Sequence, residues 1–198
     1  PSGSAPIYFD VSGGCSATCS STVAAFPYSE GFESGFGLWV QSTTDDRDWS
    51  RIGGGTPSGS TGPSGPNEGS RYIFTEASSN SNRTFVLESP CFNLSTASTA
   101  NFSFYYHMYG SDMGDLYLEM STDNGLTWPT TLWSQSGQVQ TSNGQAWNQV
   151  NVNLTPHVGQ TIMIRFRGVT GNNYRSDMSL DNFSLTATTS PLPEINIT

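Results

Sequence analysis

Lysine is absent from the sequence, and charge of either sign is scarce. Only 12% of the 198 residues are charged, and seven basic residues, all of them arginine, stand against sixteen acidic residues, so the formal net charge is −9. Proteins that bind nucleic acid or anionic membranes neutralise phosphate groups with clusters of lysine and arginine. The composition therefore argues against both kinds of partner.

Long apolar runs are absent as well. No segment approaches the roughly 20 apolar residues that span a bilayer, so the sequence predicts no membrane insertion. The chain opens at Pro1 without a signal peptide, and we expect it to be a module excised from a longer exported protein. Abundant Ser, Thr, Gly and Asn, with 12% aromatic residues, are typical of a secreted β-protein.

Cysteine is rare and is not arranged for metal binding. The chain has Cys15, Cys19 and Cys91, and no C-x-x-C pair that would suggest zinc or thioredoxin-like chemistry. An odd number favours one disulfide bond and one spare thiol. A bond from Cys91 would clamp the N-terminal segment onto the body of the domain, and with Cys19 as its partner it would contribute about 4 kcal/mol in the chain-entropy treatment.

Alternating polarity predicts several half-buried strands. The clearest alternation covers residues 101–108, and the same period of two recurs at 116–120, 150–154 and 162–166. Turn signals rich in Gly and Asn separate these segments, and no stretch carries a helical period. The pattern predicts a β-sandwich and argues against an α/β nucleotide-binding architecture.

Composition also predicts how the chain is divided. We expect an N-terminal linker or arm over residues 1–25, a β-sandwich over 26–187 and an exit linker over 188–198. Residues 53–70 offer no apolar face and should form one long surface loop.

Catalytic motifs are missing. His107 and His157 lie in unrelated segments with no H-E-x-x-H pattern, and no G-x-S-x-G elbow is present. His107 lies on the polar phase of its strand, so we expect a hydrogen-bonded surface histidine. Glu88 and Glu119 lie on strand-like segments, but nothing in the sequence pairs them for glycoside hydrolysis. We therefore predict that the chain is not an enzyme.

Residues 121–128 resemble the Asp box of bacterial sialidases. The physical content of this motif is a hairpin turn in which Asp123 caps backbone amides, Gly125 takes a positive φ and Trp128 packs beneath. The motif occurs once, without the arginine arrangement of a sialidase. We interpret it as a structural turn.

The stretch Asp45-Asp46-Arg47-Asp48-Trp49 concentrates negative charge. Three carboxylates within four residues repel one another unless they are solvated or neutralised, and a hard cation with oxygen ligands is one solution. A solvated acidic turn with Arg47 as partial counter-ion is the other, and these residues alone favour it.

Six short motifs in order along the chain together resemble a MAM domain, the extracellular module named after meprin, neuropilin and receptor protein tyrosine phosphatase mu. The resemblance covers about residues 27 to 187 and implies a jelly-roll β-sandwich of two antiparallel sheets. The motifs lie at Phe32-Glu33-Ser34-Gly35 with Trp39, at 45–49, at Thr61-Gly62-Pro63-Ser64, at Glu88-Ser89-Pro90, at 106–110 and at Met178-Ser179-Leu180-Asp181-Asn182.

The cysteines depart from the vertebrate MAM pattern. Vertebrate domains usually have one Cys before the Phe-Glu segment and another before the Trp, whereas this chain has neither. The resemblance thus implies that a Cys19–Cys91 bond replaces the usual first disulfide, with Cys15 as the spare thiol. The departure is similar to MAM domains of secreted bacterial proteins.

The resemblance also implies a structural cation. In MAM and related jelly-roll modules, a glutamate of the first strand and an aspartate of the last lie together at such a site, and Glu33 and Asp181 occupy the matching positions. Asp46 or Asp48 would complete the shell. Ca²⁺ or Na⁺ suits these oxygen ligands.

Two functions fit a non-catalytic, extracellular, secreted or cell-surface module. The first is polysaccharide binding, for which Tyr109, Tyr174 and Arg175 beside loops are the candidate ligand-binding residues. Trp39 and Trp49 match core positions of the family and are poor candidates. The alternative is a protein–protein adhesion or assembly module, the role implied by animal MAM domains.

Overall fold

The computed structural model of the chain describes residues 19–189. Within them, thirteen strands form two sheets, as predicted. The strands of the first sheet are β1 (Thr22–Val23), β3 (Val40–Gln41), β6 (Thr84–Glu88), β7 (Cys91–Asn93), β9 (Asp115–Ser121), β10 (Thr130–Ser136) and β12 (Thr161–Val169). Those of the second are β2 (Tyr28–Glu30), β4 (Ser50–Ile52), β5 (Tyr72–Phe74), β8 (Ala97–His107), β11 (Asn148–Asn153) and β13 (Ser179–Thr189).

Strand pairing follows a jelly-roll-like sandwich. In the first sheet β12 is central, with β9 and then β10 on one side and β6 and β7 on the other. In the second sheet β13 pairs with β8 on one side and with both β5 and β2 on the other. Every pair among these named strands is antiparallel except β1 with β7, which is parallel.

Aromatic rings fill the space between the sheets. The even-numbered residues of β8 from Ala100 to Tyr106 face inward as the period of two predicts, and Phe102 and Phe104 among them are fully buried. Phe166 of β12 stacks on Phe183 of β13 with ring centroids 4.8 Å apart. Trp39 and Trp49 are only 3% and 2% exposed, as predicted from their family positions.

One end of the outer face of the second sheet, at His107, is covered rather than solvated. Trp147 lies with its ring centroid 5.6 Å from that of His107. Its indole N–H donates to the carbonyl of Gly65 in the predicted long loop, residues 53–71, which connects β4 to β5. His107 is fully buried, so the prediction of a surface histidine is wrong. Burial lowers its pKa to about 4, which keeps the imidazole neutral.

Candidate functional site

Cys19 and Cys91 form a disulfide bond, with Cα atoms 5.7 Å apart. Cys91 begins β7, and Thr22 of β1 lies opposite it in the parallel pair. The bond and the strand pair together fasten the chain before β2 to the first sheet. This is the pairing that the family resemblance implies, whereas Cys15 lies outside the described residues.

The Asp-box segment forms the predicted structural turn. Asp123 accepts hydrogen bonds from the hydroxyls of Ser121 and Thr127 and from the Thr127 N–H, and these bonds lower its pKa to about 2. Gly125 has a φ of 86°. The motif closes the hairpin between β9 and β10, and its aspartate is fully engaged in holding the turn.

Glu33 and Asp181 anchor the same end of the long loop. Glu33 accepts from the N–H and hydroxyl of Ser70 and from the Arg71 N–H at 2.6–3.1 Å. The Asp181 carboxylate accepts from the N–H groups of Asn67, Glu68 and Asn182. The end of the loop, residues 67–71, is therefore held between two carboxylates.

The two carboxylates differ in environment. The hydrogen bonds from Ser70 lower the pKa of the exposed Glu33 carboxyl. Burial raises the pKa of Asp181 to about 6, the three backbone N–H groups oppose that rise, and the charge of Glu33 adds to it. Both carboxylates accept hydrogen bonds from residues 67–71, so the fold brings Glu33 and Asp181 to the same end of the loop.

Asp46 and Asp48 do not join this pair. Asp46 accepts from the Thr84 N–H and forms an ion pair with Arg83 at 3.5 Å, and it shares a different cavity with Asp48 and Glu76. Among residues 19–189, no group of three or more His, Cys, Asp or Glu side chains is arranged to hold a metal ion. The four predicted ligands therefore do not form one shell, because the acidic stretch precedes β4 and lies toward β6.

The predicted ligand-binding residues converge at the loops. Tyr109 and Arg175 line a cavity of about 300 Å³ together with Gln138 and Thr141. The Arg175 guanidinium lies 5.2 Å from the ring centroid of Tyr174, which is 41% exposed. This cavity is named here the loop cleft, and Tyr174 lies beside it against Arg175.

A charged cluster on the outer face of the first sheet was not predicted from the sequence. Glu119 of β9, only 6% exposed, accepts hydrogen bonds from Arg165 Nε at 2.7 Å and from Arg167 Nη2 at 2.6 Å, both on β12. Burial alone would raise the pKa of Glu119, but the bonds from Arg167 and Arg165 outweigh it and lower the pKa. The signal in the sequence was two arginines at alternate positions of one strand, on the face opposite its apolar residues.

The same register places Glu88 and Glu119 on opposite sides of Arg165, on β6 and β9. Sequence spacing alone had not brought the two together. An arginine between them, bonded to one of them, makes this an ion-pair network rather than a pair of free carboxylates.

Apolar side chains are exposed at the edge of the first sheet. Leu38 and Val40 are 42% and 49% exposed, and between them Trp39 points into the core. Since β3 pairs only with β6, its other side is an open strand edge within the described chain. This strip is named here the β3 edge.

These features define a disulfide-bonded jelly-roll module with clefts on its surface. Residues 31–190 match the family described as MAM domain, meprin/A5/mu. The chain belongs to the MAM family, whose domains are non-catalytic extracellular modules. The part of the chain that the structure describes has no helix long and apolar enough to cross a membrane.

Two relatives bear the family name. The chain is 31% identical over 186 residues to MAM domain-containing glycosylphosphatidylinositol anchor protein 2 of Mus musculus, a match covering 83% of this chain and 19% of that protein. It is 36% identical over 161 residues to protein 1 of the same name from Gallus gallus, covering 74% of this chain and 16% of that protein. The chain thus spans less than a fifth of either relative.

Solved structures share the fold. A cleaved adhesin domain of Lys-gingipain from Porphyromonas gingivalis superposes with a TM-score of 0.59 at 16% identity, covering 83% of this chain and 99% of that one. A second adhesin domain of the same protein gives 0.57 at 17% identity, covering 83% and 98%. At such identities the likeness concerns the fold alone.

Proposed function

We propose that the chain is a protein-binding adhesion or assembly module of a larger extracellular protein. Membership of the MAM family carries this proposal, because MAM domains typically mediate protein adhesion. Both relatives named above are glycosylphosphatidylinositol anchor proteins that contain MAM domains. This favours the second function inferred from the sequence over polysaccharide binding.

The β3 edge supports a protein partner. Leu38 and Val40 leave apolar area in water, and burying such area is the main favourable term in protein association. An open strand edge also offers unpaired backbone groups to a second chain. We expect the partner to cover this strip.

Immobilised arrays of purified extracellular protein domains test the proposal. The wild-type chain should bind at least one of them saturably, and Leu38→Asn with Val40→Thr should weaken that binding about tenfold or more. Leu126→Asn is the matched control, since Leu126 is also exposed but lies in the β9–β10 hairpin. Equal loss in both variants would refute the β3 edge as the contact.

Polysaccharide binding is the second candidate, at the loop cleft. Tyr109 and Arg175 share its lining, and the exposed Tyr174 ring could stack on the apolar face of a sugar. Tyr174→Ala should then abolish binding to a polysaccharide array without lowering the melting temperature. Equally tight polysaccharide binding by wild type and by the Tyr174→Ala variant would exclude this cleft.

We also propose a structural Ca²⁺ or Na⁺ at Glu33 and Asp181. The two carboxylates retain lone pairs beyond their N–H contacts, and they fit two ligands of an oxygen-coordinated cation. Excess Ca²⁺ should raise the melting temperature and chelator should lower it, and Asp181→Asn should blunt the response. Equal melting temperatures of the wild-type chain in excess Ca²⁺ and in chelator, with no bound metal by elemental analysis, would rule out Ca²⁺. Melting temperatures in increasing sodium chloride, compared with choline chloride, would then decide whether Na⁺ binds.

The bacterial secreted type of MAM domain remains a proposal. It is supported by the cysteine pattern, in which the segments around Phe32 and Trp39 contain no cysteine and the bond runs from Cys19 to Cys91 instead.

A further inference from the structure

We propose a further binding site on this domain, a cleft for a neutral oligosaccharide on the outer face of the first sheet. Arg165 and Arg167 of β12 form one part of its lining, and Thr84 and Val86 of β6 form a second. The third part is the acidic loop before β4, which contributes residues 44–46. The cavity has a volume of about 290 Å³, near the lower end of the range for ligand pockets. It shares no lining residue with the loop cleft or with the β3 edge, and it does not depend on the protein-binding proposal.

Both arginines are held rigidly. Each guanidinium is bonded to the nearly buried Glu119, and each lies over an aromatic ring, Arg165 at 4.6 Å from the Trp128 centroid and Arg167 at 4.0 Å from that of Tyr117. A long side chain fixed in advance loses little entropy when it binds a ligand. This arrangement is therefore suited to presenting hydrogen-bond donors.

Several of these donors have no protein partner. Among the described residues, Arg165 uses only its Nε atom, and Arg167 uses Nε and Nη2. The two Nη groups of Arg165 and the Nη1 group of Arg167 are left without an acceptor in that part of the chain. A ligand that offers oxygen atoms would satisfy them.

The other side of the cleft supplies acceptors. Asp45 accepts the Val86 N–H with Oδ2, which leaves Oδ1 as an acceptor. Thr44 and Thr84 add hydroxyl groups to the lining. The cleft thus offers donors and acceptors a short distance apart.

Charge decides the class of ligand. Glu119 and Asp45 offset the two arginines, and Asp46 is paired with Arg83, so the cleft carries no surplus of positive charge. An anionic sugar would meet the carboxylates, and an apolar protein side chain would strip water from charged groups without pairing them. Sugar hydroxyls both donate and accept, so a neutral sugar matches both kinds of group.

A glycan array of neutral and acidic polysaccharides, followed by affinity gel electrophoresis on the hits, tests this site with the full 198-residue chain. Wild type should bind at least one neutral polysaccharide and not polygalacturonate. Arg167→Lys keeps a positive charge beside Glu119 but removes the planar fork, and it should weaken binding about tenfold.

Arg71→Lys is the control, because Arg71 is also an exposed arginine but lines neither this cleft nor the loop cleft. It should bind like wild type. If Arg167→Lys melts early, Thr84→Val removes a cleft hydroxyl without touching the arginines and should weaken binding in its place. No binding to any neutral glycan, or an equal loss of binding in Arg71→Lys, overturns the proposal; the protein array reports separately on the adhesion function.

Discussion

Buried carboxylates are the most informative single residues of this domain. Asp177 is fully buried, and its Oδ1 atom accepts the Ala77 N–H at 2.9 Å, while Oδ2 has no hydrogen-bond partner in the described chain. Burial raises the pKa of Asp177 to about 6. The charged form therefore costs stability at neutral pH.

The sign of the pH effect follows from this rise. Between about pH 4 and pH 6 the folded state holds a proton on Asp177 that the unfolded chain releases, so the contribution of this residue to stability falls as pH rises. In Asp177→Asn, the loss of unfolding free energy between pH 4 and pH 7 should be smaller than in wild type by up to about 3 kcal/mol. Urea denaturation across that range measures it.

Asp123→Asn is the control for this series. The pKa of Asp123 is lowered to about 2, so its contribution is lost only as pH falls below about 4. This variant should keep the wild-type pH dependence between pH 4 and pH 7. An unchanged dependence in Asp177→Asn would contradict the assignment of a buried, proton-holding carboxyl.

Single residues also show what sequence could and could not predict. Trp39 and Trp49 were placed in the core because they match core positions of the family. His107 was misplaced because alternation tells which face of a strand a residue lies on, but not whether a distant loop covers that face. Trp147 and the loop at Gly65 cover His107, and both are far from it in the sequence, Trp147 after the strand and Gly65 before it.

The long loop is the element whose anchoring is most specific. Gly69 has a φ of 63°, and a Cβ atom there would collide with Glu33 Oε1. Gly69→Ala should therefore destabilise the domain by about 1–3 kcal/mol, from backbone strain and displacement of Glu33. Gly59→Ala in the same loop has open space and should change stability by less than about 0.5 kcal/mol. Equal unfolding free energies in the two variants would show that the loop is not anchored at Gly69.

The disulfide bond between Cys19 and Cys91 also fixes secondary-structure elements to one another. It spans 72 residues of sequence, so in the chain-entropy treatment its loss should cost about 4 kcal/mol. Cys91→Ser and reductant should each lower the melting temperature to a similar extent, whereas Cys15→Ser should not. Peptide mapping without reductant should recover the Cys19–Cys91 pair, and a Cys15–Cys19 peptide would contradict it.

Strands with a clear period were predictable, and short edge strands were not. The alternations at 101–108 and 162–166 correspond to β8 and β12, which carry the core. Strands such as β3 and β4 have two and three residues, too few to show a period, and their pairing with β6 and β5 depends on the assembled sheets.

The clefts belong to the scale of the whole molecule. Tyr109 and Arg175 were named together because both lie beside loops, and the fold does bring them together. The Glu119 cluster and the acidic loop of the other cleft come from three distant parts of the chain, and only sheet register unites them. Motif matching has the same limit: it grouped Glu33 and Asp181 with Asp46 and Asp48, but it could not show that the last two line a different cavity.

At this scale the family and the surface favour protein adhesion. The measurement that decides it is the equilibrium binding of the purified chain, in parallel, to purified extracellular protein domains, itself included, and to polysaccharides, by interferometry at physiological salt. We predict saturable binding to at least one protein, weakened by Leu38→Asn with Val40→Thr. Binding to polysaccharide with no saturable binding to any protein would contradict the adhesion function.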